Sequence, residues 1–274
     1  MIPAAFDYQR ATTLDEAVRL LGEGGEDAKL LAGGHSLLPL MKLRLAAPSV
    51  LIDIGRLEDL SYIREDGDRV VIGALTRHHD IVTSDLLARH IPLLPKATET
   101  VGDPQVRHRG TIGGSIAHGD PASDLPAVCM ALGATFRAVG PGGERTIPAA
   151  EFFQGFLETA LGPDEILTEI SVAKTGEAGW SWQKFTRRAQ DWAIVGVAAV
   201  RGENPGIALV NMGSTPLRAT AVEEALASGA SAADAAHHAT DGIDPPGDLN
   251  ASPEFRRHLA EVLVRRALEE AGAS

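Results

Sequence analysis

The most informative stretch of the chain is the segment Ala28–Leu45. In it an apolar run over residues 28–32 breaks into Gly33-Gly34-His35-Ser36 and continues with helical spacing from Leu37. This pattern predicts a strand, a glycine turn and a helix. A second glycine pair lies in Thr111-Ile112-Gly113-Gly114-Ser115. Paired glycines let a backbone approach a ligand and turn successive N–H groups toward one point, where a helix N-terminus favours a phosphate. Two such loops, each beside a hydroxyl group, predict a clasp for one pyrophosphate.

A simpler interpretation stays open, because glycine pairs also make tight turns where no ligand binds. The other ligand and catalytic motifs fail on spacing. Neither loop fits G-x-G-x-x-G, no Gly-Lys dipeptide exists for a P-loop, and residues 34–38 lack the last glycine of a nucleophile elbow. His78-His79 and His237-His238 are adjacent pairs instead of zinc ligands on one helix face, and we expect them to be solvated.

The composition is that of a globular protein and excludes several partners. The chain has 274 residues, 44% hydrophobic and 23% charged, with a formal net charge of −12, which disfavours nucleic acid or an anionic membrane as partner. Cys129 is the single cysteine, so the chain supplies neither an internal disulfide nor the roughly four thiolates of an iron–sulfur cluster. Asp7 interrupts any secretory signal core, and no apolar run approaches the ~18 residues of a membrane span. We therefore expect a cytoplasmic protein.

Apolar periodicity extends this picture to the whole chain and predicts a mixed N-terminal region followed by a smaller C-terminal domain. The N-terminal region is expected to hold strands at 28–32, 50–54, 62–64, 70–72, 134–139, near 146 and at 166–172, and helices at 14–21, 37–45, 80–89 and 93–101. The C-terminal region is expected to hold strands at 181–185, 193–200 and 207–212, and helices at 221–227, 232–240 and 254–271. A polar, glycine-containing stretch at 174–179 marks the boundary.

Five strings, taken together and in order, resemble a known family. They are AGGHSLLP at 32–39, IGALT at 72–76, TIGGSIAH at 111–118, DPASDLP at 120–126 and KFTRRAQDWA at 184–193. The set resembles the FAD-binding medium subunit of carbon monoxide dehydrogenase and xanthine dehydrogenase, the molybdenum hydroxylases. The resemblance covers nearly the whole chain.

The resemblance implies an α+β fold. A vanillyl-alcohol-oxidase-like FAD-binding domain would span residues 1–176, with two α/β subdomains at about 1–56 and 57–176. A C-terminal domain of a three-stranded sheet packed on helices would span 177–274. It also implies non-covalent FAD held by Ala32, Gly33, Gly34, His35, Ser36, Leu37, Thr76, Val101, Thr111, Ile112, Gly113, Gly114, Ser115, Asp124, Leu167, Lys184 and Trp192.

Several of these residues have a structural interpretation beside the functional one. Lys184 is either an exposed strand lysine or a cation that favours the reduced, anionic flavin. Asp124 caps a helix beginning at Leu125, contacts the cofactor, or does both. Trp192 is either a core residue or the aromatic beside the flavin ring, where tyrosine is usual in the family. His35 could tether a flavin covalently, but the resemblance is to proteins that bind it non-covalently.

By resemblance, the expected function is electron transfer within a larger enzyme. Substrate would be oxidised at a molybdenum cofactor on a large subunit, electrons would cross [2Fe-2S] clusters on a small subunit, and the FAD of this chain would pass them to an external acceptor. A dimer of such heterotrimers would lie in the cytoplasm, touching the inner face of the membrane only through the complex. Carbon monoxide is the first substrate expected for the assembly. A purine or N-heterocycle hydroxylase, a self-contained flavin oxidase and a scaffold without cofactor are the alternatives.

Overall fold

A computed structural model describes residues 2–202 and 205–272, so the expected domain limits at 1 and 274 lie outside the described residues. The chain begins with a small parallel sheet of three strands in the order β1-β3-β2. Its elements are β1 (Asp7–Arg10), α1 (Leu14–Gly24), β2 (Ala28–Leu31), α2 (Leu37–Lys42) and β3 (Val50–Asp53). Helix α1 buries Ala17 and Leu21 against this sheet, as the apolar spacing predicts.

A five-stranded antiparallel sheet follows, in the order β4-β5-β10-β6-β7. Its strands and the two-stranded ribbon β8-β9 are β4 (Ile63–Asp66), β5 (Arg69–Gly73), β6 (Thr135–Gly140), β7 (Gly143–Pro148), β8 (Phe153–Gly155), β9 (Glu158–Thr159) and β10 (Ile166–Ala173). The helices of this region are α3 (His78–Val82), α4 (Asp85–His90), α5 (Leu93–Thr98), α6 (Pro104–Arg109), α7 (Ile112–His118), α8 (Asp124–Ala131) and α9 (Ala149–Phe152). The sheet and helices share one core, in which every residue of α8 is buried.

The C-terminal region contains a four-stranded antiparallel sheet in sequential order. Its elements are β11 (Trp180–Phe185), β12 (Val195–Val200), β13 (Gly206–Val210), β14 (Leu217–Arg218), α10 (Thr220–Ala227), α11 (Ala232–Ala236) and α12 (Pro253–Glu270). Both faces of this sheet are covered. Along β12, Val195, Val197 and Ala199 pack toward α10–α12, while Ala198 and Val200 belong to the core around α8.

Each predicted strand has a counterpart in the structure, and the differences in the predicted elements lie mainly in the helices. The predicted 80–89 helix is two helices, because Ser84 accepts from the Leu87 N–H and starts α4 anew. Helix α2 ends at Lys42, before Arg44 enters the left-handed region at φ 58°. Helix α5 ends at Thr98, and α11 ends at Ala236.

Some elements were absent from the sequence prediction altogether: β1, β8, β9, α6, α7, α9 and β14. The last of these extends the expected three-stranded C-terminal sheet by a two-residue edge strand. The two glycines of α7 have low helix propensity and masked that helix.

Among the described residues, none of the helices combines the length and apolarity needed to cross a membrane.

Candidate functional site

A cavity of about 510 Å³ lies where the parallel sheet, the helices of the antiparallel sheet and the start of the C-terminal sheet meet. This volume is within the range of small-molecule and cofactor sites. Both glycine loops line the cavity, together with α8 and the segment that follows β11. Residues far apart in the chain therefore face one space.

The first glycine loop lines this cavity and has unpaired backbone donors. None of the N–H groups of Gly33, Gly34, His35 and Ser36 donates a hydrogen bond to another described residue. Gly34 has φ +78°, a left-handed conformation that glycine adopts without strain. Successive free N–H groups beside a left-handed residue form a concavity that binds anions.

The second loop is built differently, because its donors are already used. The N–H groups of Ile112, Gly113 and Ser115 bond to backbone carbonyls, and that of Gly114 bonds to Thr111 Oγ1 at 3.1 Å. This loop therefore offers the cavity its side-chain hydroxyls and a close backbone surface, whereas the first loop offers free N–H groups.

Two of the glycines are required by contacts within the protein. A Cβ on Gly33 would lie 2.3 Å from the Arg109 carbonyl oxygen, so glycine at this position lets the two loops approach each other. A Cβ on Gly113 would lie 2.5 Å from the Cβ of Ala74, where α7 packs on the end of β5. Contacts within the protein therefore explain Gly33 and Gly113, and the close approach of a ligand is an interpretation for the other glycines of the two loops.

A buried ion pair forms another part of the wall. Lys184 Nζ lies 2.6 Å from Asp124 Oδ2, with side-chain exposures of 9% and 5%. Lys184 also donates to the carbonyl oxygen of Thr100 at 2.9 Å. Burial raises the pKa of Asp124 to about 6, and the nearby Lys184 ammonium opposes this shift. Asp124 Oδ1 is buried and has no hydrogen-bond partner among the described residues.

This geometry corrects two structural interpretations. Lys184 is not an exposed strand lysine. Asp124 is not a helix cap, because it is the first residue of α8, Ser123 occupies the cap position, and no side chain caps the helix. Of the two carboxylate oxygens of Asp124, Oδ2 lies in the ion pair with Lys184, and Oδ1 has no hydrogen-bond partner among the described residues.

Two histidines stand beside the glycine loops. His78 is only 3% exposed, so the expectation that it is solvated was wrong. Its Nε2 lies 3.2 Å from Ser115 Oγ, its buried Nδ1 has no partner among the described residues, and burial lowers its pKa to about 4. Burial followed by the charge of Arg109 also lowers the pKa of His35. Both rings are thus biased toward the neutral form.

Trp192 lies at the edge of the cavity with 57% of its surface exposed, which rules out the core interpretation. It belongs to the segment between β11 and β12, where Gln190 has the unusual positive φ of 71°. A large aromatic exposed beside a deep cavity is suited to contact a planar ligand ring.

The structure brings most of the predicted site residues together. The cavity is lined by Ala32, Gly33, Gly34, His35, Ser36, Leu37, Val101, Thr111, Gly113, Gly114, Ser115, Asp124, Leu167, Lys184 and Trp192. Thr76 and Ile112 do not line it. Thr76 Oγ1 instead bonds to the backbone of Tyr62 at the base of the hairpin, and Ile112 is fully buried in the core around α8.

Several lining residues are absent from the set expected from the sequence, among them His78, Gly110, His118 and Gln190. Position in a motif could have indicated His118, which ends the second glycine string. His78 had no local signal, because the adjacent His79 is only partly buried and it is the packing of α3 under the loops that buries His78.

Two family models match this chain. The FAD-binding domain of molybdopterin dehydrogenases matches residues 4–174, and the C-terminal domain of carbon monoxide dehydrogenase flavoproteins matches residues 180–271. The chain belongs to this family of FAD-binding flavoproteins.

Individual proteins of this family are similar to the chain over nearly its whole length. The medium chain of carbon monoxide dehydrogenase from Hydrogenophaga pseudoflava is 43% identical, over 100% of this chain and 99% of that one. Subunit alpha of the 6-hydroxypseudooxynicotine dehydrogenase complex from Paenarthrobacter nicotinovorans is 38% identical, over 99% and 96%. A solved carbon monoxide dehydrogenase structure from Hydrogenophaga pseudoflava superposes with a TM-score of 0.96 and 45% identity, covering 99% of this chain and 98% of that one. The family and the α+β fold class expected from the sequence are confirmed.

Proposed function

We propose that this chain is the FAD-carrying medium subunit of a heteromeric molybdenum hydroxylase whose assembled complex oxidises carbon monoxide. The observation that carries the proposal is the loop 33–36, whose backbone N–H groups have no partner among the described residues and which lines a cavity that also holds a buried Asp–Lys pair and an exposed tryptophan. Full-length similarity to a carbon monoxide dehydrogenase medium chain supports the choice of substrate.

The residues of the cavity fit FAD. The free N–H groups of the first loop suit the pyrophosphate, and the hydroxyls of Thr111 and Ser115 lie on the facing loop. The buried, unpaired Asp124 Oδ1 is an acceptor that lacks a donor, as a cofactor hydroxyl would supply. Of the residues expected to bind FAD, we retain all except Thr76 and Ile112.

The Lys184–Asp124 ion pair also affects how strongly the site favours the reduced, negatively charged flavin. Lys184 alone would favour a negatively charged flavin, but the Asp124 carboxylate balances its charge at neutral pH. Protonation of Asp124, whose pKa is raised to about 6, would leave the pair with a net positive charge. The pair would therefore favour the reduced ring more strongly in acid than at neutral pH.

In the proposed enzyme, the substrate is oxidised on another chain. FAD supplies the capacity to accept electrons singly and release two, and this chain binds, orients and tunes it. We propose FAD-binding and C-terminal domains at 1–176 and 177–274. We further propose a large molybdenum-cofactor subunit and a small iron–sulfur subunit as partners in a cytoplasmic dimer of heterotrimers.

A second candidate is the medium subunit of a purine or N-heterocycle hydroxylase. It is favoured by the relative from Paenarthrobacter nicotinovorans, whose identity is only five percentage points lower (43% against 38%), and by tryptophan where tyrosine is usual. A self-contained flavin oxidase is less well supported, because the cavity is lined by cofactor-type groups and no separate acid–base pair stands out among the residues that the structure describes.

The test is anaerobic reduction of the natively purified complex. We expect carbon monoxide to bleach the flavin absorbance, and a purine or N-heterocycle to leave it unchanged. Bleaching by a heterocycle alone would favour the second candidate. Reduction of the isolated chain by an organic substrate, without any partner subunit, would instead favour the self-contained oxidase.

A further inference from the structure

Asn211, just after β13, joins two segments of the cavity wall. Its backbone N–H donates to the Pro121 carbonyl oxygen at 2.9 Å, three residues before Asp124. Its side-chain Nδ2 donates to the Ala193 carbonyl oxygen at 2.8 Å, next to Trp192. Asn211 has a positive φ of 62°, in the left-handed region that asparagine enters more readily than most other residues with a side chain.

The side chain of Arg256, in the first turn of α12, contacts Asn211 and the segment that follows Trp192. Its guanidinium donates to the carbonyl oxygens of Ile194 and Asn211, and pairs with Asp248 at 2.7 Å. The side chain is 1% exposed. Burying a cation costs several kcal/mol even when it is paired, so stability alone is a weak reason for an arginine here.

Trp192 has little support of its own. It is more than half exposed, and its indole makes no hydrogen bond to another described residue. Three contacts attach the residues that follow Trp192: the Ala193 carbonyl oxygen accepts from Asn211, the Ile194 carbonyl oxygen accepts from Arg256, and the Ile194 N–H donates to the Phe185 carbonyl oxygen at 2.8 Å. The first two are made by side chains of other elements, so they can be removed while the backbone bond to Phe185 stays.

We propose that Asn211 and Arg256 are positioning residues that hold Trp192 against the flavin ring, while tying its segment to the Pro121–Asp124 wall. The inference rests on the proposed function, because it requires FAD in the cavity. It gives the C-terminal domain a role in cofactor binding. Residues on α12 and just after β13 position the tryptophan that contacts the flavin ring, while the N-terminal loops hold most of the cofactor.

The test is flavin fluorescence of the FAD-loaded protein, because an indole in contact with a flavin quenches its emission. Asn211→Gly is the sharpest variant, since glycine accepts the positive φ and keeps both backbone bonds while losing only the bond to Ala193. Arg256→Lys is the second variant, because its donors all sit on one nitrogen and lack the planar fork with which the guanidinium reaches two carbonyls and a carboxylate from separate nitrogens. Arg218→Lys is the matched control: Arg218 pairs with Glu223 on the far edge of the same sheet.

We expect both variants to retain FAD and to lose quenching toward the level of Trp192→Ala, while Arg218→Lys stays quenched. In a Trp192→Ala background the same changes should have no further effect. Unchanged quenching in Asn211→Gly and Arg256→Lys would overturn the inference, as would equal effects with and without Trp192. Loss of FAD from Asn211→Gly would also overturn it, by assigning Asn211 to cofactor retention. Absence of FAD from the parent protein would defeat the proposed function and the inference together.

Discussion

The roles of single residues are where the structure adds most to the sequence. Four glycines in two similar strings suggested one common role, but their surroundings differ. Gly33 and Gly113 lie against protein backbone, Gly34 needs a positive φ, and a Cβ on Gly114 would meet only the Thr111 hydroxyl, at 2.8 Å. Sequence patterns report residue type and spacing, and these contacts arise only from tertiary packing.

The Lys184–Asp124 pair yields a prediction that depends on pH. Lys184→Met leaves the Asp124 carboxylate buried without its cation, which should destabilise the fold by about 3–5 kcal/mol at pH 8. The pKa of Asp124 is raised to about 6 in the folded protein, so this carboxyl favours folding at low pH and opposes it as pH rises through that value. The loss should therefore shrink at pH 5, where the carboxyl takes up a proton.

Chemical denaturation of parent and variant at both pH values measures this difference. Asp124→Asn combined with Lys184→Met is the control, because it removes both charges and should largely abolish the pH dependence of the loss. An equal loss for Lys184→Met at pH 8 and pH 5 would show that its charge is not the cause.

Among the elements, the loop between β2 and α2 is the one whose form can be tested directly. Gly34→Ala places a Cβ 2.8 Å from Leu38 and strains a left-handed residue, so the N–H groups should turn away from the cavity. We expect FAD affinity to fall by about tenfold or more, equivalent to roughly 1.4 kcal/mol. Gly67→Ala is matched in strain, with φ +60° in the β4–β5 turn and no described atom within 4 Å of its Cβ.

FAD titration of both variants after cofactor removal provides the measurement. Equal affinities in Gly34→Ala and Gly67→Ala would contradict the role of the first loop.

Elements were predictable from sequence where local patterns govern them. The strands β2, β3, β5, β10, β12 and β13 carry apolar runs of the right length, and α12, predicted at 254–271, spans Pro253–Glu270. Helices α6 and α7 were not predictable in the same way, because proline, charged residues and glycines conceal them. Both glycine strings were nonetheless assigned to one site. That assignment used only the glycine pairs and the neighbouring hydroxyl residues, so it did not require the surrounding helices to be predicted.

For the whole molecule, the decisive contact is between the C-terminal sheet and α8. A Cβ on Gly206, at the start of β13, would lie 1.9 Å from the carbonyl oxygen of Ala131 at the end of α8. Gly206→Ala should force the sheet off this helix and destabilise the protein by about 2 kcal/mol or more. Gly142→Ala, in an open turn with no described atom within 4 Å of the new Cβ, is the control.

Thermal unfolding compares the two variants. A midpoint for Gly206→Ala equal to that of Gly142→Ala would contradict close packing of the C-terminal sheet on the FAD-binding part of the chain.

The central claim is that this chain carries FAD as one subunit of a molybdenum enzyme. The most direct measurement is the absorbance spectrum and metal content of the natively purified protein, with every co-purifying chain identified. We expect flavin bands together with molybdenum, iron and two further subunits. Flavin on a lone chain that turns over an organic substrate, or a complex without flavin, would contradict the account.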